Sequence, residues 1–163
     1  MENSKLIRIR VAQPEHLPDI RTLFQEYANS LGFDLDFQDF SKELATLPGE
    51  YAPPHGRLLL ATVEGRMAGC VALRSLESNI CEMKRLYVRP EFRGNNIGRA
   101  LTKAIIRGAG EAGYSRIRLD TVPTMLEAQH LYESLGFKQI PHYRYNPVKR
   151  GKFMELLLGT KGR

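Results

Sequence analysis

The chain predicts an α/β fold of the α+β kind: a mixed, mostly antiparallel central sheet flanked by helices. Three observations carry that expectation. Apolar and basic residues alternate from Leu6 to Val11, then give way to a helical apolar period from Leu17 to Leu31. Three strand-like runs follow between Leu58 and Val88, the first two joined only by Glu64-Gly65, a connection short enough for antiparallel neighbours alone. Helical and extended patterns then alternate as far as Leu158, which gives the order β-α-α-β-β-β-α-β-α-β-β.

Each element has its own signal. Pro14 and Pro18 open the first helix, with Leu17, Ile20, Leu23, Phe24, Tyr27 and Leu31 on its apolar face, and Gly32 ends it. The stretch Phe33 to Leu47 carries Leu35, Phe37, Phe40, Leu44 and Leu47 and includes a second short helix, stopped at Pro48-Gly49. Gly49 to Gly56 is a loop on turn chemistry. Leu58–Val63 pairs with Met67–Leu73, and Ile80–Val88 follows a polar turn at Ser78-Asn79. A helix is expected from Ile97 to Ala112, with Ile97, Leu101, Ala104, Ile105, Gly108 and Ala112 facing inward. Ile117–Asp120 is a short strand. Thr124 and Glu127 match a capping box for a helix that runs through Leu131 and Leu135 to Gly136. Phe137–Ile140 and Lys152–Leu158 complete the sheet.

No repeat, linker or low-complexity tract divides the 163 residues, so one domain over 1–163 is expected, its core at about 6–158. No apolar run approaches the roughly 18–20 residues that span a bilayer, and Met1 to Lys5 lead into a strand without a signal-peptide pattern. A cytoplasmic protein without a membrane partner is expected. Cys70 and Cys81 lie in apolar strand-like segments and the four histidines are scattered, so neither a disulfide framework nor a zinc site is expected.

The net charge of +6 suits nucleic acid or a phosphorylated ligand. No recognition helix or aromatic-interleaved basic strand supports nucleic acid, which is not expected as a partner. Lys84, Arg85, Arg89, Arg93, Arg99, Lys103 and Arg107 form the densest basic stretch, and they straddle the most informative segment. There Leu86-Tyr87-Val88 ends a strand, Pro90 stops the ladder, and Arg93-Gly94-Asn95-Asn96-Ile97-Gly98 leads into a helix. Glycine and asparagine tolerate positive φ, so consecutive N–H groups there can converge on an anion, helped by the helix dipole. This is a pattern for a pyrophosphate. The P-loop is excluded because Arg99-Ala100 follows Gly98, and the dinucleotide fingerprint needs another glycine spacing.

The segment Arg93 to Gly98 resembles the Arg/Gln-x-x-Gly-x-Gly/Ala signature of the GNAT superfamily of acyl-CoA-dependent N-acetyltransferases. Ala128-Gln129-His130-Leu131-Tyr132-Glu133-Ser134-Leu135-Gly136-Phe137 is similar to a second segment of that family, in the right order along the chain. Asn96 stands where the family usually has glycine, and asparagine is the next most tolerant of left-handed backbone. Met125 stands where many members place a cofactor-contacting asparagine, so that contact is not carried over.

The resemblance implies acetyl-CoA as co-substrate without a metal, and a small-molecule or peptide amine as acceptor. A homodimer is a further implication. It places the pyrophosphate on the amides of Arg93, Gly94, Asn95, Asn96, Ile97, Gly98 and Arg99. The pantetheine arm would pair with the backbone of Leu86 and Val88, and an N–H near Leu86 or Tyr87 would bind the acetyl carbonyl. An ordinary lysine-like amine has a pKa of about 10.4, so the reaction needs a proton acceptor and a donor for the leaving thiolate. Glu82 is the candidate base, placed by strand alternation with Ile80, Lys84, Leu86 and Val88, and the resemblance makes Tyr132 the candidate acid. Asp34, Asp36, Tyr27, Tyr51 and Tyr143 are candidates for the acceptor side, and His130 is expected to be exposed. A non-catalytic acyl-CoA-binding module is the alternative, needing the phosphate turn but neither Glu82 nor Tyr132.

Overall fold

Glu64 (φ 51°) and Gly65 (φ 84°) both take left-handed backbone, the geometry that matches a two-residue turn to strand twist. They close β2 (Arg57–Val63) onto β3 (Arg66–Glu77), and Asn79 (φ 67°) helps to turn β3 into β4 (Ile80–Val88). The computed structural model describes residues 6–32, 34–35, 39–121, 126–144 and 151–159. Around that meander the described residues add β1 (Ile7–Val11), β5 (Arg116–Thr121), β6 (Lys138–Ile140) and β7 (Lys152–Leu157). The helices are α1 (Leu17–Ser30), α2 (Phe40–Ala45), α3 (Ile97–Glu111) and α4 (Leu126–Ser134). The sheet runs β1-β2-β3-β4-β5-β7-β6, antiparallel at every pairing except β4 with β5. Element order and sheet type agree with the expectation from sequence.

Two cores lie on opposite faces of the sheet. On one, Ile97, Leu101 and Ile105 of α3 pack on Leu59, Val71, Met83 and Ile117, with Tyr132 of α4 beside them. On the other, Ile20, Leu23 and Phe24 of α1 and Phe40 of α2 pack on Leu58, Leu60, Cys70 and Ala72. The buried stripe of α3 includes Thr102 and Ala109, while Ala104 and Ala112 sit at its edge; the whole stripe is rotated slightly from the expected one. The expected loop at Gly49–Gly56 begins with a single 3-10 turn, Gly49–Tyr51, that buries Tyr51 against Phe24. Thr124, Met125, Phe33, Asp36 and Phe37 lie outside the described residues.

One sequence expectation is corrected. Glu82 does not share a face with Leu86 and Val88, because β4 carries a bulge between them. Cys70 pairs with Tyr87 but Ala72 with Lys84, and Arg85 takes φ 64°. The extra residue re-phases the strand. Cys81 and Met83, then Leu86 and Val88, face α3, while Tyr87 joins the α1–α2 core. Glu82, with partners on β3 and beyond β6, also faces away from α3.

Across the bulged end β3 comes unusually close to β4. A Cβ on Gly69 would stand 2.4 Å from the carbonyl oxygen of Tyr87. Only glycine fits this approach. Gly69→Ala should cost about 1–3 kcal/mol, a fall in Tm of roughly 2–10 °C for a chain of this size. A thermal melt equal to that of the parent would contradict the close approach.

Candidate active site

Parallel pairing of β4 with β5 covers only Ile80, Cys81 and Glu82 opposite Arg116, Ile117 and Arg118. Beyond it the strands part, and β4 runs on to Val88 along a cavity of about 820 Å³. Leu86, Tyr87 and Val88 form one wall, Arg93, Gly94, Asn96, Ile97, Gly98 and Arg99 the floor, and Leu126, Ala128 and Leu131 of α4 the facing wall. Every residue expected to bind the cofactor lines this cavity except Asn95. Its side-chain amide instead donates to the Phe92 carbonyl at 3.0 Å and staples the turn.

The floor has the backbone that the sequence suggests. Gly94 (φ 87°) and Asn96 (φ 60°, ψ 23°) are left-handed, and α3 starts directly after Asn96. The first N–H groups of any helix lack intrahelical acceptors and carry the positive end of its dipole. A Cβ on Gly98 would make only ordinary contacts with Val88 and Leu131, at 3.8 and 3.9 Å. Arg93 donates from Nε to the Val88 carbonyl and lies over the Tyr87 ring, and Arg99 bonds the Ser134 hydroxyl. Of the basic stretch noted in the sequence, only Arg93 and Arg99 line the cavity. Arg85 and Arg89 are held elsewhere by Glu43 and Glu26, and Lys84 is buried beyond the bulge.

Tyr132 lies behind the α4 wall, 6% exposed and packed on Phe137 with ring centroids 5.6 Å apart. Burial raises its pKa, reinforced by the charges of Tyr27 and Asp120, so its hydroxyl stays protonated. His130, two residues earlier, is exposed at the cavity rim, as expected.

Glu82 sits where β4 and β5 part and is 0% exposed. Its carboxylate accepts hydrogen bonds from Arg74 Nε at 2.9 Å and from the Tyr143 hydroxyl at 2.6 Å, and it pairs with Arg144. Arg144 also stands 3.4 Å from Asp120. Burial alone would raise the pKa of Glu82. Lys84, Arg144, the Tyr143 hydroxyl and Arg74 together outweigh it and bring the group down to about 2. An unfolded glutamate takes up its proton near 4.5, so the folded chain refuses a proton that the unfolded chain accepts. The stability that Glu82 contributes is complete above that value and is lost as pH falls from about 4.5 to about 2. Glu82→Gln should flatten that acid limb in urea melts run at successive pH values. An unchanged acid limb would show that Glu82 is not held in this network.

Residues 17–137 match the family described as Acetyltransferase (GNAT) family. The chain belongs to that family. It is 44% identical to an uncharacterized N-acetyltransferase of Schizosaccharomyces pombe, over 96% of this chain and 97% of that one. It is 35% identical to the N-acetylaspartate synthetase of Danio rerio, over 60% of this chain and 36% of that protein. A Salmonella typhimurium structure with its cofactor acetyl-CoA shares the fold, with a TM-score of 0.69 and 20% identity over 96% of this chain and 95% of that one. The protein is thus an acyl-CoA-dependent N-acetyltransferase of the GNAT family.

On this GNAT scaffold the face opposite the cavity holds charged residues that the sequence named only as part of a basic stretch, with no role on that face. Arg85, 4% exposed at the bulge, is bonded by two nitrogens to the Glu43 carboxylate of α2, both at 2.8 Å, and lies over the Phe40 ring. This fastens the α1–α2 cap to β4. Burial, then neighbouring Arg85, press Lys84 down to about 8 against the pull of Glu82 and Asp120. Tyr27 packs edge-on to Tyr87 with its pKa raised by burial, Tyr51 is buried, and Asp34 lines a separate surface cavity beside α1 and α2. The run Glu82-Met83-Lys84-Arg85 carries no local mark of this arrangement. Strict alternation predicts one cation per face there, and two on the same face require a bulge.

Proposed function

We propose that this enzyme transfers the acetyl group of acetyl-CoA to the amine of a small acceptor by direct attack on the thioester. One observation carries the reading: an αL asparagine opens α3 on the floor of a cavity walled by the bulged end of β4. The amides of residues 93–99 would hold the diphosphate, with Arg93 and Arg99 adding charge. The backbone of Leu86 and Val88 would accept the pantetheine arm as an extra strand, and an N–H at the bulged end of β4 would face the carbonyl oxygen as it gains charge. Bound there, acetyl-CoA supplies the activated acyl group.

Tyr132, kept protonated by burial, is the donor to the leaving sulfur. Glu82 is the proton acceptor, and a carboxylate held near 2 serves that role only when Arg144 and Tyr143 release it or when water relays the proton. The acceptor would enter from the α1–α2 side, between Tyr27 and the segment bearing Tyr143. The Danio rerio relative is named for N-acetylaspartate, an acetylated amine that carries carboxylates. Carboxylate-bearing amines therefore belong in the first acceptor panel. The test is release of free thiol from acetyl-CoA in the presence of amines. Tight acetyl-CoA binding without thiol release across the panel would overturn the reading in favour of a binding module.

A further inference from the structure

Where β4 and β5 part, opposite charges are packed together. Glu82, Lys84 and Asp120 come from the two strands, Arg74 from β3, and Tyr143 with Arg144 from the segment after β6. Arg74 is matched by Glu82 and Glu50, with well-directed hydrogen bonds to both. Arg144 is different. Its two terminal nitrogens are shut away from water, pair with Glu82 at 2.5 Å and Asp120 at 3.4 Å, and among the described residues make no hydrogen bond of good geometry, while the guanidinium lies over the Tyr143 and Phe153 rings. Buried polar nitrogens are nearly always hydrogen-bonded, so a guanidinium whose fork lacks well-directed acceptors among the described residues calls for a physical reason.

We infer that Arg144, with Lys84 beside it, binds a carboxylate of the acceptor, which makes the acceptor an amino acid whose carboxylate lies a few bonds from its amine. This rests on the transfer reading above. A guanidinium presents parallel N–H groups that a planar carboxylate meets edge to edge, the geometry Arg144 lacks with Glu82 and Asp120. The acceptor's ammonium, in turn, is drawn to Glu82 and Asp120. The four groups are complementary to a zwitterion, with two cations for its carboxylate and two anions for its amine. The same exchange serves the chemistry: when the acceptor's carboxylate takes Arg144, Glu82 loses one of the cations that hold its proton affinity down, just as the ammonium arrives. Neutral amine forms, and its proton goes to Glu82.

The experiment compares glycine, β-alanine, aspartate and glutamate with the same compounds amidated at their carboxylates, and with ethylamine and putrescine, by thiol release. The acids should exceed their amides by roughly 10- to 100-fold in kcat/KM, the range of a charged hydrogen-bonded pair. Arg144→Gln should abolish that preference by raising KM for the acids, with KM for acetyl-CoA unchanged. Arg144→Lys, which keeps the charge beside Glu82, should retain part of it. Equal turnover of acids and amides, preference for diamines, or an acid preference that persists in Arg144→Gln would overturn the inference and leave the transfer reading intact. Absence of thiol release from every amine would remove both.

Discussion

Asn96→Val should weaken acetyl-CoA binding at least tenfold while leaving the sheet intact. Asn96 holds φ 60° immediately before α3, on the cavity floor. Left-handed backbone costs an ordinary L-residue about 1–2 kcal/mol and a β-branched one more, and each 1.4 kcal/mol is about a factor of ten in affinity. Valine would relax toward negative φ and turn the N–H groups of residues 96–98 out of convergence. Asn96→Gly is the control, since glycine takes this backbone freely and should bind as well as the parent. Calorimetry on the three proteins decides the matter. Equal affinity in the valine variant would mean that the turn does not shape the phosphate site.

Tyr132→Phe should lower kcat about 100-fold, the lower end of what a positioned proton donor contributes. The dissociation constant for acetyl-CoA should hardly move, because the substitution removes one hydroxyl while the diphosphate and pantetheine contacts are proposed at residues 86–99. The phenylalanine ring keeps the contact with Phe137, so the loss would register the hydroxyl rather than packing. A rate unchanged within a factor of two would remove Tyr132 from the chemistry. Acceptors with a better leaving proton would not rescue the loss, because the deficit lies at the sulfur.

The elements were legible because their signals are local. The Glu64-Gly65 turn, the helical period of α1 and the Pro90 stop each depend on a few neighbouring residues, and β4 begins and ends at the residues that its pattern indicates. The left-handed turn on the cavity floor was legible for the same reason, being built from consecutive backbone rather than from distant side chains. The charged cluster around Glu82 and Arg85 was not. Arg85 points toward α2 because of a bulge, and nothing local to Lys84-Arg85-Leu86 distinguishes a bulge from plain alternation. The partners that define it, Glu43 for Arg85 and Tyr143 with Arg144 for Glu82, lie 42 and about 61 positions away in the chain. Pairings of that range are fixed by the topology of the sheet, and one sequence alone carries no trace of them.

The bulge also explains how a single strand turns different side chains to the two faces of the sheet. Leu86 and Val88 face the cavity on the α3 side, while Tyr87 packs with α1 and Glu82 meets Arg74, Tyr143 and Arg144. Without the extra residue at Arg85, the cavity wall and the charged cluster would compete for one face of β4.

A crystal structure with coenzyme A bound tests the central claim most directly. The account predicts the diphosphate within about 2.7–3.2 Å of backbone nitrogens between residues 94 and 99, with the pantetheine arm laid along Leu86 and Val88. A nucleotide seated on another surface, with those nitrogens facing water, would contradict it.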